Sequence, residues 1–386
     1  MAKRSAPLLL IAVGFLLSIG VVMLISTCAF SSMTPSDDMY LDAKKQVLWL
    51  FLGGIGCAVA ACVDYHWMER KAWWIFGIAV FLLALCYVPG VGHKINGETR
   101  WISAKSLGLG GLRIQPSEMA KITIAIMIGW WFTRYPDSGK HPLRGFLFPF
   151  GLAATLILLV LFEKDMGTAA VLSASCFTLL FVAGVHWSYL TGLAVSGVTA
   201  LFLLVKYDPV RFERILAFLD MEANRRDAAL QQWIGMIALG SGGIGGRGLG
   251  EGRLKMLYMP FAHTDFIFPM IGEELGLIFT LLIVFAFVLL AVAGITISFH
   301  APDTFGRFLG LGIVCFITFQ AALNIGVTTA VLPNTGLPLP FISYGGTALL
   351  TVMVAVGILL NIYRQGRETA SEDRYWVSGR RITPRL

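Results

Sequence analysis

Apolar residues run in long unbroken blocks along this chain, with the polar residues gathered between them. Ten blocks reach or approach the length of a membrane-crossing helix, about 20 residues. They lie at roughly 8–29, 46–63, 73–88, 116–133, 146–162, 168–184, 189–205, 266–295, 307–330 and 346–363. Such runs predict helices, because a helix satisfies every backbone group within one segment. The short alternating segments of an outer-membrane barrel are absent. The expected fold class is therefore all-α, a polytopic membrane protein of about ten transmembrane helices. It forms a single membrane domain over 1–386, with a large extracytoplasmic loop at 206–265 before the eighth helix and a basic tail at 364–386.

Composition agrees. The 386 residues are 56% hydrophobic and 14% charged, against about 25% charged in soluble domains. The N-terminal run from Leu8 to Ile25 is longer than the roughly 7–15 residues of a signal-peptide core, so it reads as a retained span. Six cysteines sit mostly within apolar runs and make no C-x-x-C pair, which supports neither a disulfide framework nor a zinc site.

Charge sets the orientation. Ten spans put both termini on one side, and that side carries Lys3, Arg4 and the tail arginines Arg364, Arg367, Arg374, Arg380, Arg381 and Arg385. The excess of basic residues makes it cytoplasmic. The other side also holds basic residues, four in 93–114 and eight between Lys206 and Asp265. Long loops are largely exempt from the rule. Those basic residues suit an anionic ligand or anionic lipid headgroups, and both readings stay open. Within the long loop, Phe212, Ile215, Leu216 and Leu219 recur at helical spacing, which predicts a helix lying along the membrane surface.

Five stretches interrupt the apolar blocks with chemistry-bearing residues. In "QPSEMAK" (115–121), Glu118 and Lys121 share a helix face. They form either a neutralising pair or a functional site within the membrane. "FEKDMGTAAVL" (162–172) places Glu163, Lys164 and Asp165 in one turn, where Asp165 suits a helix cap. "IALGSGGIGGRGLGEGRLK" (237–255) has eight glycines from Gly240 to Gly252. Its G-x-G-x-x-G lacks a βαβ context and no G-K-[ST] follows, so neither dinucleotide nor ATP is implied. A pliant basic loop could bring backbone N–H groups and Arg247, Arg253 or Lys255 to a phosphate, or bind nothing. "PFAHTDFIFPMIGEELGL" (260–277) sets Asp265 at a helix start, as a cap or a rim carboxylate. Glu273 and Glu274 lie about 12–13 Å deeper, where they need partners or a polar cavity. "VLPNTGLPLPFISYGGTALL" (331–350) contains three prolines and three glycines, backbone that membrane depth tolerates only inside protein or beside a water-filled cavity.

Taken in order, "RWI", "QPSEMAK", "HTDFIFPMIGEELG" and "LPLPFISYGGTALL" resemble the SEDS family (shape, elongation, division and sporulation proteins). The likeness runs from the first span to the last. It implies the ten-helix SEDS fold and a peptidoglycan glycosyltransferase in the bacterial cytoplasmic (inner) membrane. Such an enzyme polymerises lipid II, an undecaprenyl-pyrophosphate disaccharide-peptide, at the outer face. Its partners would be a class B penicillin-binding protein transpeptidase, other division proteins and membrane lipids, with no nucleic acid. "NGETRWI" and the compact "GRGLGEGRLKMLYMPFAHTDF" resemble the division branch, at the septum, more than the elongation branch of the same chemistry. Asn334 and Pro338 depart from the division branch's commonest wording.

The resemblance places the family's essential loop carboxylate on Asp265. Its membrane Glu and Lys fall on Glu118 and Lys121, its acidic residue between the fifth and sixth spans on Asp165, and its loop arginine on Arg100. Arg247, Lys255 and Ser343 join these as expected substrate-binding residues. Sugar transfer from a pyrophosphate needs one base for the acceptor hydroxyl and cations for the leaving group. Asp265 would be the base, its carboxyl raised by partial burial from about 3.9, or the ligand of a divalent cation (Mg or Mn). No other cofactor is implied. Two other readings use the same sequence. A lipid II flippase would use the buried charges as a transport path, but no inverted repeat is evident. A non-catalytic scaffold would leave those charges unexplained.

Overall fold

The computed structural model describes residues 2–28, 41–89, 91–95, 98–103, 113–136, 139, 141–256 and 264–377. Arg380, Arg381 and Arg385 of the tail and residues 260–263 of the opening of the HTDF stretch lie outside the described residues. Each of the ten apolar blocks is a helix. The helices are α1 (Ala2–Cys28), α2 (Leu41–Cys62), a short α3 (His66–Arg70), α4 (Ala72–Leu85), α5 (Pro116–Arg134), α6 (Phe148–Phe162, led in by a wider turn at Pro142–Leu147), α7 (Met166–Val182), α8 (Trp187–Tyr207), α9 (Pro209–Leu219), α10 (Leu230–Gly242), α11 (Ile267–Phe299), α12 (Thr304–Thr328) and α13 (Gly346–Val377). Seven are long and apolar enough to cross a membrane, and α4 and α7 are shorter apolar helices. The tenth block is α5, which carries Glu118, Lys121 and Arg134.

α12 is the central helix. It packs against α5, α7, α11 and α13, and its neighbours approach closely where side chains are small. A Cβ on Gly312 would stand 2.3 Å from that of Ala125, and one on Gly357 would stand 2.2 Å from the Cys57 carbonyl oxygen between α13 and α2. Small residues at crossings are how helices associate where burial from water gives no driving force. α8 is the exception, with a side-chain surface almost wholly exposed to the surroundings. At the end of the bundle nearest the chain termini, Tyr65 donates to Asp303, which also caps α12 at Gly306 N (2.7 Å). Asn361 of α13 holds the carbonyls of Ala61 and Val63 (both 2.8 Å).

Two features go beyond the predicted helices. The all-helical expectation holds for the bundle, but the loop before α5 adds a small antiparallel sheet. Its strands are β1 (Gly92–Ile95), β2 (Glu98–Ser103) and β3 (Arg113–Ile114), in the order β1-β2-β3. Such short strands carry no long apolar run. Second, the long loop is not one surface helix. α9 is capped by Asp208 through Val210 N and Arg211 N (3.1 and 3.4 Å) and leaves Phe212, Leu216 and Leu219 exposed, as an interfacial helix requires. α10 instead packs on α11 and α12. There the buried Gln232 donates to the carbonyls of Val327 and Leu332 (2.9 and 2.8 Å).

The eighth apolar block is a broken helix. Gly276 takes φ 79°, ψ −174° inside α11, a region open to glycine almost alone. The break leaves two carbonyls and two N–H groups without helical partners. The Gly-rich loop takes all four: Arg247 N and Gly248 N donate to the carbonyls of Glu273 and Glu274 (both 3.0 Å), while Leu277 N and Ile278 N donate to those of Gly243 and Ile244 (3.0 and 3.4 Å). The loop fits because glycine stands at the closest approach, where a Cβ on Gly246 would lie 2.2 Å from the Glu274 carbonyl oxygen. A Cβ on Gly276 would lie 2.3 Å from Gly246 N. Gly276→Ala should therefore lose roughly 2–4 kcal/mol, from the backbone region plus the clash. It should lower the thermal midpoint of detergent-purified protein by several degrees, whereas Leu277→Ala on the exposed neighbour should move it far less. Equal midpoints for the two variants would mean that the break does not dock the loop.

Candidate active site

Four of the five sequence stretches meet at the end of the bundle opposite the termini, around the extended segment 331–345. Leu337, Leu339, Phe341 and Ile342 of that segment are buried. Its backbone has no helix to satisfy it, and side chains from α12 do so instead. Gln320 Nε2 donates to the Pro338 carbonyl (2.8 Å), and Asn324 Nδ2 donates to the Leu337 carbonyl (2.6 Å). Ser343 Oγ accepts from Leu339 N (2.8 Å) and donates to the Thr264 carbonyl (2.6 Å).

Two of these clasps also fix a predicted site residue, and the third, Ser343, is itself one. Asn324 Nδ2 holds the backbone carbonyl of Asp265 (2.8 Å). The Asp265 carboxylate lies against Gly336, where a Cβ would be 3.4 Å from Oδ2 and φ is +69°. Asp265 does not cap α11: Phe266 takes that position and no side chain caps it. The carboxylate is half-buried and turned towards the Pro-rich segment instead. Gln320 Oε1 accepts from Lys121 Nζ (2.6 Å), which also donates to Glu118 Oε1 (2.7 Å). That pair is almost completely buried, so it is a neutralising pair with a built-in amide partner. One amide thus joins the α5 pair to the Pro-rich segment.

The turn between α6 and α7 closes a third side. Gly167 packs on Leu337, where a Cβ would meet its side chain at 2.6 Å. Asp165 caps α7 as its spacing predicts, accepting from Thr168 N and Thr168 Oγ1 (2.9 and 2.8 Å). Arg100 of β2 lies 3.8 Å from Asp165 Oδ1 and donates to the Lys164 carbonyl (2.9 Å). Gln115 Nε2 reaches Asp165 Oδ2 (3.4 Å). Arg100, Asp165, the Glu118–Lys121 pair and Asp265 thus ring one segment. Beside this ring Glu163 is buried, and among the described residues no N–H or O–H donates to either of its carboxyl oxygens. Desolvation by burial pushes its carboxyl from an ordinary 4.5 up to about 8, with the Asp165 charge adding to the rise and Cys86 and Arg100 opposing it. The folded chain then binds more protons than the unfolded one between these values, so this group lowers stability as pH rises from about 4.5 to 8.

The Gly-rich loop forms a second cluster, on α1 and α11. Glu273 accepts from Arg253 N (2.9 Å) and Leu254 N, and Glu274 accepts from Gly250 N (2.9 Å) and Ser26 Oγ (2.7 Å). Lys255 Nζ pairs with Glu274 (2.5 Å) and donates to Ser26 Oγ (2.7 Å), fully buried. The backbone N–H groups expected to cradle a phosphate therefore hold the chain's own carboxylates. Glu273 and Glu274 anchor a loop and do not hydrate a cavity. Lys255, expected on the substrate, sits inside this knot. Arg247 and Arg253 remain exposed beside Glu251 around an open depression.

The sequence pointed to Asp265, Arg100, Glu118, Lys121 and Asp165, and passed over Gln320 and Asn324. These two amides stand four residues apart on one face of an apolar helix, which is the available signal. Among the described residues no group of three His, Cys, Asp or Glu side chains is arranged to hold a metal ion. A divalent cation at Asp265 would therefore be held by that one carboxylate and by substrate phosphates, a mode magnesium uses.

Residues 7–368 match the model of the FtsW, RodA and SpoVE cell cycle proteins. The chain belongs to this family. It is 38% identical over 352 residues to a probable peptidoglycan glycosyltransferase FtsW of Geobacter sp. (strain M18), covering 91% of this chain and 94% of that protein. It is 35% identical over 367 residues to stage V sporulation protein E of Bacillus subtilis (strain 168), covering 95% and 99%. The family fold is shared in solved structures. A chain from a peptidoglycan synthase complex, determined for its coordination of polymerization and crosslinking, superposes with a TM-score of 0.73 at 27% identity, over 92% of this chain and 96% of that one. The rod shape determining protein RodA of Thermus thermophilus gives 0.67 at 25% identity, over 92% and 95%. Like its family, the chain is a multi-pass membrane protein.

Removing one member of a buried pair leaves an uncompensated charge, worth about 3–5 kcal/mol, whereas removing both is far milder. Lys121→Met should therefore destabilise detergent-purified protein strongly, and Glu118→Gln/Lys121→Met should recover most of the lost thermal midpoint. Equal midpoints for the single and double variants would show that the two side chains do not act as a pair.

Proposed function

We propose that this protein is a peptidoglycan glycosyltransferase that polymerises lipid II into glycan strands at the outer face of the cytoplasmic membrane during cell division. The observation that carries the reading is the convergence of Asp265, Arg100, Asp165 and the Glu118–Lys121 pair on one extended segment, in a chain of the FtsW, RodA and SpoVE family. In this reading the 206–265 segment and the site lie outside, the termini lie in the cytoplasm and the protein acts at the division septum, which the basic residues near both termini support. A class B transpeptidase would be the partner, in keeping with the synthase complex among its structural relatives.

The chemistry follows from the positions. Asp265 is the one site carboxylate that is neither fully buried nor spent on a helix cap. It takes the proton of the acceptor hydroxyl as the new C–O bond forms at the anomeric carbon. The bond from that carbon to the pyrophosphate breaks, and the leaving group keeps the electron pair. Arg100 at the rim, with Arg247 and Arg253 on the exposed loop, offers fixed positive charge to the pyrophosphate, and such preorganised charge acts most strongly where water is scarce. A divalent cation, where bound, would add charge neutralisation of the diphosphate. The Glu118–Lys121 pair positions the segment through Gln320 and touches no reacting atom.

Asp265→Asn keeps the size and removes the base. It should lower polymer formation from lipid II by about 10²-fold or more, with the partner transpeptidase present, while the thermal midpoint stays within a few degrees of wild type. Polymer at the wild-type rate would remove Asp265 from catalysis. Lipid II crossing vesicle membranes, with no polymer from wild type under any condition, would point to a transporter.

A further inference from the structure

Among the described residues Glu163 is the one buried carboxyl at this end of the bundle whose two oxygens both lack an N–H or O–H partner, and the backbone fixes its placement. The turn that holds it gives Lys164 a left-handed conformation, φ +64°, uncommon for a residue other than glycine. That conformation turns Lys164 outward and leaves Glu163 and Asp165 on the inside, both at most 2% exposed. Four groups face Glu163: the Cys86 thiol and the Tyr87 hydroxyl at the end of α4, Arg100 of β2, and Asp165 of its own turn. Among the described residues no N–H or O–H donates to it, and the Cys86 thiol is its one, weak, partner. Cys86 Sγ donates to the Leu82 carbonyl (3.7 Å) and Tyr87 Oη to that of Leu159 (2.6 Å). Arg100 is directed to Lys164 O and Asp165.

A carboxylate buried with no partner but a thiol is costly by several kcal/mol, and the group avoids that by keeping its proton. We propose that Glu163 is a positioning residue for Arg100: it holds a proton in the resting protein, so that Arg100 faces one carboxylate rather than two and retains its attraction for the substrate pyrophosphate. Deprotonation adds a second negative charge beside Arg100 without moving any atom of the acceptor site. The pair therefore turns one proton on Glu163 into a change in anion affinity at the rim. The link to the pyrophosphate rests on the polymerase reading. The proton on Glu163 does not.

Three measurements on the full-length protein test this. The first is the KM for lipid II from pH 6.5 to 9.5, for wild type and Glu163→Gln, which fixes the neutral form. The wild-type KM should rise severalfold to tenfold on the alkaline side of about 8, with kcat changed much less, and E163Q should stay flat over that range. A side chain with only a structural role would change kcat or the thermal midpoint and leave the shape of the KM profile alone. A parallel alkaline rise in both proteins overturns the proposal. The second is the infrared band of protonated carboxyls at pH 7, which should be weaker in E163Q than in wild type and should fall in wild type as pH passes 8. No difference between the two proteins at pH 7 overturns it, and this holds even if E163Q folds poorly, because the wild-type titration alone reports the proton. The third is pyrophosphate affinity by calorimetry at pH 7 and pH 9, which should drop in wild type and not in E163Q. A protein that makes no polymer at any pH would sink the polymerase reading, while the calorimetric and infrared titrations would still uphold or overturn the coupling of Glu163 to Arg100.

Discussion

A bilayer offers no water to a stray polar group, so every N–H, carbonyl and charge at membrane depth must find its partner within the chain. The break in α11 shows how far this constraint reaches. A helix interrupted at Gly276 exposes two carbonyls and two N–H groups, and each unsatisfied group would cost several kcal/mol. The chain answers with a glycine-rich loop that supplies all four partners and brings its own carboxylate anchors, Glu273 and Glu274. Those carboxylates are themselves buried charges. Lys255 and Ser26 complete their coordination and tie α1 to α11. One departure from helical geometry thus organises three separate segments of sequence.

The same rule builds the site. A Pro-rich segment cannot satisfy its own backbone, so Gln320, Asn324 and Ser343 do it from outside. Each has a second polar bond to spare. Gln320 spends it on Lys121, Asn324 on the carbonyl of Asp265, and Ser343 on the carbonyl of Thr264. The bonds that make irregular backbone tolerable are therefore also the bonds that hold the candidate base in place. Reactive groups held by packing and by a surrounding layer of hydrogen bonds are preorganised, and here that layer comes with the fold.

Much of this was legible in the sequence, for reasons that can be stated. Helix existence followed from apolar run length, because the bilayer makes the helix the only outcome for such a run. The Asp165 cap followed from spacing within one turn. The break at Gly276 did not, because one glycine in "EELGL" does not say whether a helix bends or continues, and here a loop 30 residues upstream along the chain decides it. The strands of 92–114 were hidden by their shortness. The role of Lys255 was misplaced because charge in a loop looks the same whether it meets a ligand or a carboxylate from another helix. Gln320 and Asn324 were visible as a polar pair on an apolar helix, but what they hold comes from a segment folded back over them.

Six carboxylates belong to the site and its anchoring loop (Glu118, Glu163, Asp165, Asp265, Glu273 and Glu274), and burial sorts them better than position does. Glu273 and Glu274 are satisfied by the loop, Glu118 by Lys121, and Asp165 by its cap and Arg100. A group so committed cannot accept a proton from a substrate without breaking what it supports. A general base must reach the hydroxyl it serves, which calls for a carboxylate that is fixed through its backbone yet still half exposed. Asp265 has that combination, held through its carbonyl by Asn324 and set against a glycine that leaves room beside it. Glu163 is the remaining case, buried and, among the described residues, with no N–H or O–H partner. Where the other buried carboxylates described at this end have charged, amide or backbone partners, an acid left with only a thiol beside it is best explained by the proton it keeps.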